Sequence, residues 1–203
     1  MSAGVVVILA FVIAVVVALM RAPTILFSKR SLRRRFGPEF ERALAEHDGD
    51  SRAACKELSE RLHRHGDVRE QVLPAAERER FLLGWAKVQV QFAHSPGPAV
   101  VAGAQLLRHL AADRGYPADD DVEQVEALSV RYADDVAGMR RLYVVAERIT
   151  AGAEEVGELT GVLAGAQPLF HRLAEGGVMV HQGRLRRGIG TMSARWAKPS
   201  QPV

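Results

Sequence analysis

The sequence lacks several residue types that mark particular classes of protein. It has no asparagine, which excludes N-linked glycosylation. Its single cysteine, Cys55, excludes an internal disulfide. No cysteine lies near the end of the apolar N-terminal stretch, so a lipoprotein-type attachment site is excluded as well. Lysine is rare, with 4 against 23 arginines. That skew resembles the codon usage of a GC-rich genome, so the arginines are not by themselves evidence of function.

Motifs that carry chemistry are also missing. There is no glycine-rich phosphate loop with lysine, no Gly-x-Ser-x-Gly and no Cys-x-x-Cys. The seven histidines have no spacing that would place two metal ligands on one helix face, and we expect them at the surface. They are His47, His63, His65, His94, His109, His171 and His181. Cys55 lies one turn before Leu58, a position typical of a buried, inert thiol. We therefore predict no catalytic, cofactor-binding or metal-binding residue.

Charge is distributed unevenly along the chain. All 24 acidic residues lie within residues 36–175, together with only 16 of the 27 basic ones. Basic segments without any acid flank this acidic body, at residues 21–35 and 176–203. A nucleic-acid-binding domain needs a basic face, so the acidic body argues against a nucleic-acid partner.

One long apolar run stands at the N-terminus. Ala3 to Met20 contains no charged or hydrogen-bonding side chain. As a helix it would span about 27 Å, close to the roughly 30 Å of a bilayer's hydrocarbon core. A cleaved signal peptide would need a basic residue before the run and small residues after it, and neither is present. The run therefore predicts a single transmembrane helix, with residues 1–22 as the anchor.

The residues after this run predict its orientation. Six basic residues follow it and none precedes it; they are Arg21, Lys29, Arg30, Arg33, Arg34 and Arg35. The positive-inside rule then places the N-terminus outside and the C-terminal domain in the cytoplasm. Residues 23–36 form a basic juxtamembrane segment whose side chains are expected to contact anionic lipid. Either this segment is mainly a topology determinant with a surface contact, which we favour, or it binds a specific lipid or partner.

Small residues recur within the predicted anchor. Ala10, Ala14 and Ala18 repeat every fourth residue, which lets two membrane helices approach closely. This spacing is typical of a homodimer face, but it also arises by chance in alanine-rich segments. Both interpretations stay open.

Residues 37–176 predict a small all-α bundle. Apolar residues recur at alternating spacings of three and four, as in Phe81, Trp85, Val88 and Phe92. The longest such series, from Val156 to Leu173, contains Pro168, which we expect to kink or interrupt its helix. Residues 177–203 are basic and glycine-rich, and we predict a flexible tail there. A solvated tail is favoured over one whose arginines touch the membrane or a nucleic acid.

Three segments resemble a family of uncharacterised actinobacterial proteins, many of which carry an apolar N-terminal helix. The segments are the run from Arg33 to Ala43, the motif Arg114-Gly115-Tyr116-Pro117, and Leu128-Ser129-Val130 with Trp85 to Phe92 upstream. The similarity covers roughly residues 30–175. It implies a helical fold and membrane association, and it transfers no functional residue.

The chain departs from that family pattern at three places. Ser95 to Pro98 replaces an Asp before a single proline, Arg131-Tyr132 replaces Asp-His, and Pro168 is unusual. These changes affect loop geometry more than fold.

These features favour a membrane-tethered helical interaction or scaffold module at the cytoplasmic face of the membrane. Its partners would be the lipid bilayer and an unidentified protein, and no cofactor is expected. One alternative is an element that binds anionic lipid or remodels membranes through its basic ends. Another is an enzyme of undetermined type, which would require a concave pocket containing perturbed titratable groups.

Overall fold

A computed structural model describes the backbone of residues 28–152 and 159–189. Within these ranges the regular structure is entirely helical, which confirms the predicted all-α class. No helix in the described part of the chain is both long and apolar enough to cross a membrane. The predicted anchor, residues 1–22, lies outside the described residues, as do Arg21 and the alanines at positions 10, 14 and 18.

Eight helices follow one another along the described chain. They are α1 (Lys29–Phe36), α2 (Pro38–Glu46), α3 (Ser51–His65), α4 (Ala75–Phe92), α5 (Pro96–Asp113), α6 (Asp121–Ser129), α7 (Val136–Thr150) and α8 (Leu159–Ile189). They divide between two compact units, with the boundary between Arg64 and His65. That boundary falls inside the range that the sequence assigned to one domain.

The first unit has a small apolar core and a buried ion pair. Leu32, Phe36, Phe40 and Leu58 are each at most 1% exposed. A carboxylate oxygen of Glu39 in α2 lies 3.6 Å from a guanidinium nitrogen of Arg61 in α3, and both side chains are 2% exposed. Breaking such a pair would leave a buried charge without its partner. The pair therefore ties α2 to α3.

Helix boundaries follow local sequence chemistry. The side chain of Asp50 accepts hydrogen bonds from the backbone N–H groups of Arg52 (2.8 Å) and Ala53 (3.3 Å), and so caps α3. Asp120 caps α6 in the same way, through the N–H of Val122 at 2.7 Å. Pro38 occupies the first turn of α2, where its missing N–H leaves no donor unpaired.

The second unit is built around α5, which packs against α4, α7 and α8. The predicted apolar faces form its core: Phe81, Trp85 and Val88 are buried, and Phe92 is partly buried against them. Trp85 stacks on Phe170 of α8 with ring centroids 4.4 Å apart and an interplanar angle of 16°. This stack joins α4 to α8 through the centre of the unit.

Helix α8 is not interrupted at Pro168, which was one of the two outcomes predicted there. The helix is continuous from Leu159 to Ile189, with Pro168 inside it. Proline cannot donate to the carbonyl of Ala164 four residues earlier, but both residues are exposed, so water can hydrate that carbonyl. The helix backbone also extends past the predicted domain end at residue 176.

Helices α7 and α8 approach each other closely where two glycines meet. A Cβ atom added to Gly138 would lie 1.9 Å from the carbonyl oxygen of Gly165. No side chain fits at that distance, so Gly138 is required by packing. The contact brings the backbones of the two helices together.

Candidate functional site

Helix α1 carries most of the side chains that the sequence predicts at the membrane surface. Ser28 caps it, and the Ser28 hydroxyl accepts from the N–H of Ser31 at 3.3 Å. Leu32 and Phe36, four residues apart, are 1% and 0% exposed and anchor one face. The other side chains are exposed; they are Lys29, Arg30, Ser31, Arg33, Arg34 and Arg35. The helix therefore presents a cationic face.

Only some of the basic residues on this face stabilise the helix α1 itself. Arginines in the last turn interact favourably with the negative end of the helix dipole, by about 0.3–1 kcal/mol each. Lys29 and Arg30 lie in the first turn, where the dipole disfavours cations and where no acidic residue is present. They also repel Arg33 and Arg34 four residues on, by a few tenths of a kcal/mol per pair. Local stability therefore does not explain positions 29 and 30.

One ion pair neutralises part of the cationic face. A guanidinium nitrogen of Arg33 lies 2.9 Å from a carboxylate oxygen of Glu41, and both side chains are more than half exposed. Among the described residues, that is the one ion pair that α1 forms. Of the five predicted cations that lie on α1, four therefore form no ion pair with another described residue.

The densest polar cluster in the second unit surrounds Glu70, in the segment before α4. One of its carboxylate oxygens, Oε1, accepts hydrogen bonds from the hydroxyls of Tyr116 and Tyr132, each at 2.6 Å. The other, Oε2, accepts from Arg114 Nη2 at 2.5 Å. An Arg131 nitrogen lies 3.4 Å from Oε1. Four donors from two other parts of the chain, residues 114–116 and 131–132, therefore converge on one carboxylate, and we call these five residues the Glu70 cluster.

Backbone contacts hold the same segment in place. Arg114 also donates to the carbonyl of Gln71, whose N–H donates to the carbonyl of Arg114 at 3.0 Å. Gly115 has φ +93°, and a Cβ there would lie 3.1 Å from the carbonyl oxygen of Arg69. The left-handed backbone and the close approach both require glycine at this position. The Arg114-Gly115-Tyr116 motif thus fastens residues 69–71 to the end of α5.

The environment of Glu70 keeps it ionised and its tyrosines neutral. Burial opposes ionisation, but the hydrogen bonds from Tyr116 and Tyr132 and the charges of Arg114 and Arg131 outweigh it and lower the pKa of Glu70. Burial and the bond to Glu70 raise the pKa of Tyr132 to about 12 and that of Tyr116 further. All of these contacts favour the ionised carboxylate, and they join residue 70 to the segments at residues 114–116 and 131–132. The Glu70 cluster therefore stabilises the packing of these segments against one another.

A second polar cluster joins α5, α6 and α7. The side-chain amide of Gln124 donates to the carbonyl of Pro117 at 2.6 Å and accepts from the hydroxyl of Tyr143 at 2.7 Å. Arg108 pairs with Asp121 at 2.6 Å and lies 4.9 Å from the centre of the Tyr143 ring. Burial raises the pKa of Tyr143. These contacts join the three helices through side chains.

A shallow groove of about 600 Å³ runs between α4 and α5. Leu83 on its rim is 57% exposed. Arg80, which lines the groove, forms ion pairs: its guanidinium lies 3.9 Å from the carboxylate of Asp113, also on the lining, and 2.5 Å from that of Glu77. The remaining lining residues are Phe81, Gly84, Lys87, Leu106, His109 and Ala112. The groove is better suited to bind another protein than to serve as an active-site pocket.

The described residues contain no group of three side chains that could hold a metal ion. The expectation that the histidines lie at the surface is wrong for His65, which is 6% exposed. It is the last residue of α3, and the two residues before it, His63 and Arg64, are exposed. Cys55 is buried, as predicted.

Sequence patterns do not reveal the Glu70 cluster. Arg114 and Tyr132 lie 44 and 62 residues from Glu70, so no local spacing connects them. The only signal in the sequence is the resemblance noted above: Arg114 and Tyr116 lie in a motif that matches the family, and Tyr132 lies where the chain departs from it. Glu70 itself carries no signal.

No protein-family model, curated protein or solved structure matches the chain.

Proposed function

We propose that this protein is a membrane-tethered helical scaffold, without enzymatic activity, at the cytoplasmic face of the membrane. The cationic face of α1 is the observation that carries the proposal. Its exposed arginines and lysine begin at Lys29, and only residues 21–28 separate them from the eighteen-residue apolar run Ala3 to Met20. A helix that keeps cations exposed beside an apolar run suits the headgroup region of an anionic leaflet.

The rigid second unit supports a scaffold role. Its core joins α4 to α8 through the Trp85–Phe170 stack, and the Glu70 cluster fastens the segment that enters it. The polar side chains of the two clusters hydrogen-bond to one another, while the groove beside Leu83 is exposed. A binding surface on a rigid, tethered body is what an adaptor requires.

Topology tests the tether. A reporter that is active only outside the cytoplasm, fused after Val203, should be silent, and one active only in the cytoplasm should respond. Replacing Lys29, Arg30, Arg34 and Arg35 with glutamine should weaken this preference. Replacing exposed Arg52 and Lys56 of α3 in the same way is the control and should leave it intact. A signal from the outside reporter in the unaltered chain would overturn the predicted orientation.

Cross-linking in cells tests the scaffold. A photo-crosslinking residue at Leu83, on the rim of the groove, should capture the same protein repeatedly. Val122 on α6, which is 67% exposed, is the matched control position and should not capture it. Cross-links to nothing but a second copy would contradict the scaffold and support the homodimer predicted from Ala10, Ala14 and Ala18.

The same cationic face favours one alternative, an element that binds or remodels anionic membranes through charge. Salt discriminates between the two, because surface charges are screened within about 3 Å at 1 M ionic strength. A tethered chain stays in the membrane fraction after washing with concentrated salt. Release by salt would favour the alternative.

A further inference from the structure

We propose that Ser31 is a phosphorylation site and that a phosphate there releases α1 from the membrane surface. This inference rests on the proposed function, because it needs the cationic face of α1 to contact anionic lipid. Ser31 is exposed, and basic residues surround it in sequence: Lys29 and Arg30 before it, and Arg33, Arg34 and Arg35 after it.

The two serines of this segment are not equivalent. Ser28 caps α1, and its hydroxyl accepts from the N–H of Ser31. The Ser31 side chain lies in the first turn and makes no hydrogen bond within the described part of the chain. Ser31 is therefore the hydroxyl that can be modified without removing the cap.

Helix geometry places Ser31 beside two of the four unneutralised cations. Residues three and four apart on a helix are neighbours, so Arg34 and Arg35 lie on the same side of α1 as Ser31. This side faces away from the buried stripe of Leu32 and Phe36. A phosphate at position 31, which carries close to two negative charges, can pair with both guanidinium groups.

The helix tolerates the modified residue. A negative charge in the first turn of a helix is stabilised by the dipole, and α1 has no acid there to repel it. Phosphorylation would thus preserve α1 while cancelling about two of its charges. What changes is the attraction to the anionic surface.

The chemical step is a phosphoryl transfer from ATP by a serine kinase whose substrate groove is acidic. The bond between the Ser31 Oγ and the γ-phosphorus forms, and the bond from that phosphorus to the β-phosphate oxygen breaks. ADP leaves, and the hydroxyl proton passes to the catalytic carboxylate of the kinase.

Hydrogen exchange on the full-length chain in lipid nanodiscs tests the switch. The backbone amides of α1 should exchange at least about tenfold more slowly in anionic nanodiscs than in zwitterionic ones. Phosphoserine incorporated at position 31 during translation should lower this ratio severalfold, because it cancels about two of the four cations. Phosphoserine at exposed Ser95, in the second unit, is the matched control and should leave the ratio unchanged.

The outcomes separate the two proposals. Equal exchange in both lipids for the unmodified chain would overturn the membrane contact, and the switch with it. A ratio that is high in the unmodified chain and equally high with phosphoserine at 31 would overturn the switch alone. Mass spectrometry of the protein from its own cells should find phosphate on Ser31, and its absence under all growth conditions would overturn the modification.

Discussion

Arg114 donates to Glu70 at 2.5 Å, and the two residues are 44 positions apart in the sequence. Arg114 is 2% exposed. Its neighbour in space is Gly176 of α8, where an added Cβ would lie 2.8 Å from the Arg114 guanidinium. The arginine is thus enclosed between the end of α5 and α8, and Glu70 is the carboxylate that neutralises it.

Replacing Glu70 with glutamine should therefore destabilise the second unit by about 3 kcal/mol, because it leaves a buried guanidinium without a counter-charge. Trp85 fluorescence during urea unfolding in detergent micelles measures this, in a chain where Trp196→Phe removes the other tryptophan. Exposed Glu123 is the matched control, and Glu123→Gln should change the free energy of unfolding by less than about 0.5 kcal/mol. Equal effects of the two substitutions would show that Glu70 does not hold this unit together.

Acid should weaken the same contact. Since the pKa of Glu70 is lower in the folded protein than its ordinary 4.5, its stabilising contribution is complete above that value. The contribution is lost as pH falls below 4.5 and through the folded pKa. Unfolding free energies measured from pH 6 down to pH 3 should decline less steeply in Glu70→Gln than in the unaltered chain. Parallel curves would contradict the assignment.

The fold was predictable from the sequence to a greater extent than the polar clusters were. Helical spacing alone identifies the core faces around Trp85 and Val88, because burial of an apolar stripe repeats every three or four residues. The Glu70 cluster depends on side chains brought together by tertiary structure, and no periodicity encodes it. Pro168 shows the converse: a local rule predicted a kink or an interruption, and the helix continues through it, because solvent can satisfy the carbonyl that proline leaves unpaired.

The cations of α1, which we propose to contact the membrane, illustrate a third case. Their positions are read directly from the sequence, and the structure adds that Leu32 and Phe36 are buried while the cations are exposed. The spacing of those two residues could have indicated which face is buried. It could not have indicated that Glu41 neutralises Arg33, since that pair crosses from α1 to α2.

The tyrosines give a prediction at alkaline pH. The chain has three, and all of them have a pKa raised above the ordinary 10.0, that of Tyr132 to about 12. Folded protein therefore holds these protons where the unfolded chain releases them, so stability is lost as pH rises above 10. Ultraviolet titration should show almost no phenolate at pH 10 in the folded protein. In urea about half of the tyrosines should be ionised at that pH, and equal signals would contradict the burial of all three.

The helix crossing at Gly138 gives the sharpest matched pair of substitutions. Gly138→Ala places a methyl group 1.9 Å from the carbonyl oxygen of Gly165, which is backbone and cannot rotate away. The helices must separate, and the expected loss of unfolding free energy is about 3 kcal/mol or more. Gly161, on the exposed side of α8, has nothing within 4 Å of its added Cβ.

Gly161→Ala should therefore stabilise the protein by up to about 1 kcal/mol, because alanine favours the helix over the unfolded chain. Both changes are the same chemically and both lie in helices, so the difference between them isolates the contact between α7 and α8. The Trp85 fluorescence assay measures both. If Gly138→Ala were as harmless as Gly161→Ala, the two helices could not pack as closely as the structure places them.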